Sequence, residues 1–284
     1  MGKIYGFYAM PHPPIAIPEV AHGQETEIKN TLDACGKIGE DIAAIKPDTI
    51  IIITPHGPVF SDAIALSCQH SIQGDLAKFG APQVSQSCNI NLTLTEKIIE
   101  YSKEQNILTG KITTRSAEQY GIKYELDHGA LVPLYFVNEK YKDYKLVHIT
   151  YGMLSKMQLY KFGMCIKEAA GQVDTRAVFI ASGDLSHRLT ADGPYEYSPY
   201  GKKFDREITS LLEKGDVSGI FNIDSKTINE AGQCALRSYY IMLGAMNGCH
   251  IKGSILSYEG PFGVGYGVMS FSLKDDNRDT YERL

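Results

Sequence analysis

The sequence predicts an α/β fold: a single domain with a central mixed β-sheet, helices on both faces, and a site at the carboxyl ends of the strands. Three observations predict it. Strand-like and helix-like segments alternate along the whole 284-residue chain, the pattern of a sheet sandwiched between helices. The segments TIIIIT at 49–54 and AVFIAS at 177–182 are nearly unbroken apolar runs, typical of central strands buried on both faces. No repeat, low-complexity tract or linker divides the chain. At ~150 residues per domain the length allows one or two domains, and one fits better.

The elements follow in order. KIYGFYA at 3–9 is a strand stopped by Pro11. Residues 10–20 carry four prolines and form no regular element. Residues 25–45 have helical periodicity, with Ile28, Leu32, Cys35, Ile38 and Ile42 at steps of three and four. The TIIIIT strand ends at Pro55-His56-Gly57-Pro58, and 63–67 is a further short strand. Residues 91–105 form a helix, 126–129 a turn and 130–138 a helix behind it. KLVHITY at 145–151 is a strand, and 155–170 a helix with Ser155 as N-cap. AVFIAS is a strand, 201–214 and 234–247 are helices, and 251–258 and 263–273 are strands joined by a Gly/Pro turn. The domain spans 1–273, and KDDNRDTYERL at 274–284 is a charged C-terminal tail.

Composition excludes several classes of function. With 43% hydrophobic and 21% charged residues the chain is neither disordered nor a coiled coil. The balance of 28 basic against 33 acidic residues, net −5, offers no basic patch for nucleic acid. Six cysteines without a CxxC pair read as reduced thiols of the cytosol. No signal-peptide core precedes Pro11 and no window approaches the ~18 apolar residues of a membrane span. A cytoplasmic protein with no membrane partner is expected.

The histidines carry the chemistry. His12 follows the first strand, His56 the TIIIIT strand, and His187 the AVFIAS strand. In open α/β sheets, ligands bind where the loops at the carboxyl ends of strands converge. Prolines beside His12 and His56 stiffen the backbone, which favours metal coordination. A carboxylate completes a two-His-one-carboxylate triad with open positions for substrate and oxygen on Fe(II); Asp184, Glu230 and Glu259 are candidates, and spacing does not choose among them. His22, His70, His148 and His250 have no partner pattern and read as structural or surface residues. The GPFGVGYG stretch at 260–267 precedes a strand, not a helix, and so reads as a turn with close-packed glycines. No HExxH, GxSxG, Walker loop or GxGxxG occurs.

The set Pro11-His12-Pro13-Pro14, Thr54-Pro55-His56-Gly57, Leu126-Asp127-His128-Gly129-Ala130, Ser182-Gly183-Asp184-Leu185-Ser186-His187 and Asn229-Glu230-Ala231-Gly232 resembles the LigB-type class III extradiol ring-cleavage dioxygenases. It is most similar to the branch fused to AMMECR-type domains, and it shares features with the Memo proteins. No AMMECR-type domain follows Leu284, so a stand-alone form or a piece of a longer protein is expected. The resemblance implies His12 and His56 as imidazole ligands of Fe(II), with Zn an alternative as purified, and Glu230 as the carboxylate ligand. It implies His187 as acid/base, His128 as a second catalytic histidine, Asp184 as an outer partner, and Cys234 as a thiol facing the site. The implied activity cleaves a catechol-like or aminophenol-like ring with O2. A zinc hydrolase on the same scaffold and a Memo-like metal-binding or redox protein without ring cleavage are the alternatives. A small aromatic substrate is the expected partner, and a homo-oligomer fits the resemblance.

Overall fold

A computed structural model describes residues 2–275, 281 and 284. In chain order the main elements are β1 (Lys3–Met10), α1 (Pro18–Ala21), α2 (Lys29–Ile45), β2 (Thr49–Thr54), β3 (Ile64–Ser67), β4 (Ser71–Leu76) and β5 (Ala81–Asn89). They continue with α3 (Leu92–Glu104), β6 (Thr109–Ile112), α4 (Thr114–Tyr120), α5 (His128–Asn138), β7 (Lys145–Thr150), α6 (Lys156–Gln172) and β8 (Arg176–Ser182). The last are α7 (Pro199–Lys214), α8 (Val217–Phe221), α9 (Ser225–Ala231), α10 (Leu236–Ala245), β9 (Cys249–Glu259) and β10 (Tyr266–Asp275).

The apolar runs take the centre of the sheet, as their composition demands. The eight-stranded sheet has the order β6-β3-β7-β2-β8-β1-β10-β9. β7, β2, β8 and β1 run parallel, with Ile52 opposite His148 and Ala9 opposite Ala181. β3 joins β7, and β10 joins β1, in antiparallel fashion, so the sheet is mixed. Every residue of β2 is buried. Alternate residues serve two cores, because successive side chains of a strand point to opposite faces. Ile51, Ile53, Phe179 and Val147 pack with α3, α6, α7 and α10 on one face. Ile50, Ile52, Val178 and Leu146 pack with α2 and α5 on the other. The single α/β domain expected from the sequence is therefore a three-layer sandwich.

The Ser155 cap is as the sequence predicts, and Asn91 supplies a second one. Ser155 caps α6 in a capping box with Gln158, and Asn91 caps α3. Glu259, one of the candidate carboxylates, is occupied elsewhere. It accepts hydrogen bonds from Thr31 N and Thr31 Oγ1, both 2.7 Å, at the start of α2, whose own N-cap side chain makes none. The antiparallel ribbon of β4 and β5, β6, α4, α8 and α9 are elements the sequence pattern does not reveal. β4, SIQGDL, is polar on one face and interrupted by Gly74, so its period is weak. The last strand runs to Asp275, and 276–280 and 282–283 of the expected tail lie outside the described residues. All six cysteines are free. No helix among the described residues is long and apolar enough to cross a membrane.

α6 and α10 touch through glycines. A Cβ on Gly163 would lie 1.9 Å from the Ile241 carbonyl oxygen, and one on Gly244 would lie 1.9 Å from the Tyr160 carbonyl oxygen. Backbone meets backbone here, so nothing flexible can give way. Helix propensity favours Gly163→Ala by about 1 kcal/mol, but overpacking of this kind costs about 3 kcal/mol. The variant is expected to lose about 2 kcal/mol of stability in urea unfolding, and a midpoint at or above the parent's would contradict this packing.

Candidate metal centre

The parallel order of β1, β2, β7 and β8 sends their carboxyl ends to one edge of the sheet. His12 stands two residues beyond β1, His56 two beyond β2, and His128 opens α5. Their donor nitrogens all lie within 4.8 Å of one another. The rings of His56 and His128 stack at 4.1 Å and 25°, and His12 meets His56 edge-on at 4.7 Å and 87°.

Hydrogen bonding fixes the His12 tautomer. The Ser182 hydroxyl donates to the Gly129 carbonyl, so only its lone pairs face His12 Nδ1, 2.8 Å away. Nδ1 therefore carries the proton and Nε2 presents a bare lone pair. His12 Nε2 and His56 Nε2 are 2.9 Å apart. Two lone pairs do not face each other at that distance, so the space between them is suited to a proton or a metal cation. The imidazoles are also disposed to be neutral. Burial, then the neighbouring His56 charge, hold His12 well below its ordinary value. Burial together with His56 and His12 brings His128 down to about 3, and burial lowers His56 too. Neutral imidazoles are the form that binds metals, and they suit Fe, Zn, Cu and Ni. The donor set fits a first-row divalent cation.

Other groups surround the three rings. Asp184 Oδ1 accepts the His12 backbone N–H at 2.9 Å, and Oδ2 lies 3.9 Å from His12 Nε2. Burial raises the Asp184 carboxyl to about 6. Cys234 Sγ lies 3.7 Å from His12 Nε2 and 3.2 Å from the Asp184 backbone N–H that it accepts. Burial pushes this thiol up, so it is protonated at neutral pH while no cation competes for it. Asp184 and Cys234 thus stand beside the histidines.

Glu230 does not. It lies near the end of α9 with its carboxylate 3.8 Å from Arg188 Nη1 and its side chain 46% exposed. It is absent from the metal-capable group among the described residues. The carboxylate that the fold brings to His12 is Asp184, because β8 ends beside β1, and not Glu230, the expected carboxylate ligand. His128, expected as a catalytic histidine, is the third imidazole of the cluster.

His187 sits on the loop after β8. Its Nε2 is buried with no hydrogen-bond partner, and its ring stacks on Tyr195 at 5.1 Å. Burial lowers its pKa, and the charges of Asp184 and His56 reach it. The GPFGVGYG glycines let this loop dock: Leu185 N donates to the Gly265 carbonyl, and Leu189 N to that of Gly263. A Cβ on Gly265 would meet Asp205 Oδ2 at 2.3 Å. Asp205 in turn accepts the Ser186 N–H at 2.8 Å.

A cleft of about 460 Å³ opens on His56 and His128, lined also by Pro58, Lys78, Phe79 and Ile122. Phe79 comes from the tip of the β4–β5 ribbon and meets the His128 ring edge-on at 5.0 Å. Sequence reasoning missed Phe79 because its element was unseen. It also missed His148, which faces Asp127 Oδ2 at 3.0 Å; the one polar residue inside an apolar strand was the available signal.

In the metal-free protein these pKa directions have a consequence for stability. Unfolded His128 takes a proton near 6.5, whereas folded His128 resists until about 3. Acidification across that window favours the unfolded chain, so the stability attached to His128 is present above 6.5 and lost toward 3. Asp184, raised to about 6, acts in the opposite direction, so the comparison with a variant isolates His128. Thermal unfolding of His128→Gln is expected to fall less steeply between pH 7 and 4 than that of the parent; identical slopes would contradict the burial of this ring.

Comparison with known proteins completes the picture. A family profile described as the catalytic LigB subunit of aromatic ring-opening dioxygenase matches residues 6–269. The chain is 51% identical over 282 residues to the Clostridium acetobutylicum protein CA_C1420, covering 99% of this chain and 60% of that one. It thus spans about three fifths of that relative's length. It is 29% identical over 129 residues to a MEMO1 family protein of Methanosarcina acetivorans, covering 45% and 44% of the two. It is 25% identical over 198 residues to the 3,4-dihydroxyphenylacetate 2,3-dioxygenase of Escherichia coli, covering 66% and 67%. An uncharacterized Escherichia coli K12 protein, JW3007, shares the fold with a TM-score of 0.63 at 12% identity, covering 94% of this chain and 98% of that one. A metal-capable histidine cluster at the strand ends of this sandwich is consistent with a metal-dependent family, and the match over nearly the whole chain shows that the protein belongs to the LigB family.

Proposed function

We propose that the protein is an Fe(II)-dependent dioxygenase that opens the ring of a small catechol-like or aminophenol-like compound with O2. The observation that carries this reading is the convergence of His12, His56 and His128 within 4.8 Å beside a cleft with an aromatic wall. Fe(II) held there supplies chelation of the paired substituents and activation of oxygen.

The chain's own residues have distinct tasks. Ser182 keeps the His12 Nε2 lone pair directed at the cluster. Phe79, Pro58 and Ile122 give the ring an apolar surface and narrow the access of water. His187, neutral and with an unpartnered Nε2, takes the hydroxyl proton of the substrate and returns it as the O–O bond breaks, both oxygen atoms staying in the ring-opened product. Such general acid–base help is worth ~10²–10⁴ in rate. Asp184 lies near enough to stabilise the imidazolium that forms.

A second reading rests on Cys234. A thiol 3.7 Å from His12 Nε2 suits zinc or copper as well as iron, and it favours a Memo-like metal protein without ring cleavage. Oxygen consumption separates the two. Protein purified without oxygen is expected to hold close to one iron per chain by elemental analysis, and His56→Ala to hold almost none. His187→Ala is expected to keep the metal and lose ~10²-fold or more in oxygen uptake with a panel of catechols and aminophenols. Stoichiometric zinc with no oxygen uptake by the iron-loaded parent would sink the dioxygenase reading, and normal turnover by His187→Ala would remove that residue's role.

A further inference from the structure

His148 is a core residue with an unusual occupation. It lies in the middle of β7, 2% exposed, on the face that Leu146 fills with an apolar side chain. A hydrophobic residue would serve the sheet there. Both ring nitrogens of His148 are instead engaged: Nδ1 with Ser67 Oγ at 2.9 Å and Nε2 with Asp127 Oδ2 at 3.0 Å. A carboxylate only accepts, so Nε2–H donates to Asp127, while Nδ1 is held by the Ser67 hydroxyl.

Asp127 is also diverted from its ordinary work. It occupies the N-cap position of α5, where an aspartate side chain usually accepts a helix N–H, yet it makes no capping bond. Its Oδ1 accepts the Thr54 hydroxyl. Thr54 Oγ1 in turn accepts the backbone N–H of His56 at 3.2 Å. Asp127 therefore ties the β2 loop that carries His56 to the start of α5, where His128 is its immediate neighbour. Glycines clear the way for this closure. A Cβ on Gly129 would lie 2.4 Å from Thr54 Oγ1 and 2.9 Å from Asp127 Oδ1. One on Gly57 would lie 2.1 Å from Thr150 Oγ1 and 3.4 Å from Asp127 Oδ2.

We propose that His148 is a positioning residue of the metal centre: by clamping Asp127 from the sheet, it sets the two loops that bring His56 and His128 together. The inference rests on the reading of the three histidines as a metal site. Groups behind the ligands typically change metal affinity 10–100-fold when removed. His148 acts one step further out, through a buried carboxylate that would be left without its partner.

The test is titration of the metal-free protein with cobalt(II), followed by visible absorption, with chelator competition for affinity. His148→Leu and Asp127→Asn are expected to weaken cobalt binding ~10–100-fold and to shift the visible bands. His148→Gln, whose amide N–H reaches toward Asp127, is expected to restore affinity and spectrum toward those of the parent. A merely structural role would lower thermal stability and leave the spectrum of bound cobalt unchanged. Parent-like affinity and spectrum in His148→Leu would overturn the proposal. Should that variant not fold, the same result in Asp127→Asn, which keeps size and the Thr54 contact, overturns it equally. A parent that takes up no cobalt, or a His56→Ala variant that takes up as much, overturns the metal-centre reading itself and the inference with it.

Discussion

Ser182 has one proton, and its destination organises the site. The hydroxyl donates to the Gly129 carbonyl at the start of α5 and leaves its lone pairs to His12. The Ser182 carbonyl accepts from Ser238 on α10 at 2.8 Å. One residue at the end of β8 thus joins the loop after β1 to α5 and α10, helices from the two opposite layers. These bonds are made in a fully buried place, where an unmade one is expensive. The direction of the His12 lone pair, the approach of α5, and through α5 the location of His128, all follow from that arrangement. The parallel sheet supplies the approximate convergence of the histidines, and the serine supplies the orientation.

The cluster is also an electrostatic compromise. Three crowded imidazoles, His12 buried, His128 half-buried and His56 at the surface, resist protonation. Two carboxylates accompany them with opposite tendencies. Asp184 is pushed up to about 6 by burial. Asp127 is equally buried, but the His148 hydrogen bond and charge, with the Thr54 hydroxyl, bring it down to about 2. The two acids are thereby differentiated: Asp127 stays ionised as a fixed negative charge behind the rings, while Asp184 sits near its own titration. A dication among neutral imidazoles needs such a counter-charge.

The legible part of the fold was the part dictated by hydrophobicity. β2 and β8 announced themselves as unbroken apolar runs, and their burial put them at the centre of the sheet. His12 and His56 were legible because each follows a strand and is flanked by proline. The illegible part depends on contacts distant in sequence. Glu230 and Asp184 are both acids near glycines, and only the pairing of β8 with β1 decides which one meets His12. His148 looked like core because it is core; nothing local reveals that its ring reaches Asp127, 21 residues earlier. The β4–β5 ribbon escaped because neither strand alternates cleanly, and Phe79 escaped with it.

That ribbon is a separate two-stranded sheet. The chain just after β5 bridges to the main sheet between Ile90 and Leu146, and Gln73 of β4 accepts the Leu126 N–H at 2.9 Å, two residues before His128. The histidines belong to the main sheet and its helices, while Phe79 and Lys78 belong to the ribbon's tip. On the proposed function, the metal ligands and the aromatic wall of the cleft are therefore carried by different sheets and their flanking segments. A change of sequence in the tip reshapes the cleft directly, and it reaches His128 through the Phe79 ring and the bond between Gln73 and Leu126. If the chain acts as proposed, this one hairpin is where evolution, or a designer grafting another in its place, would edit what enters.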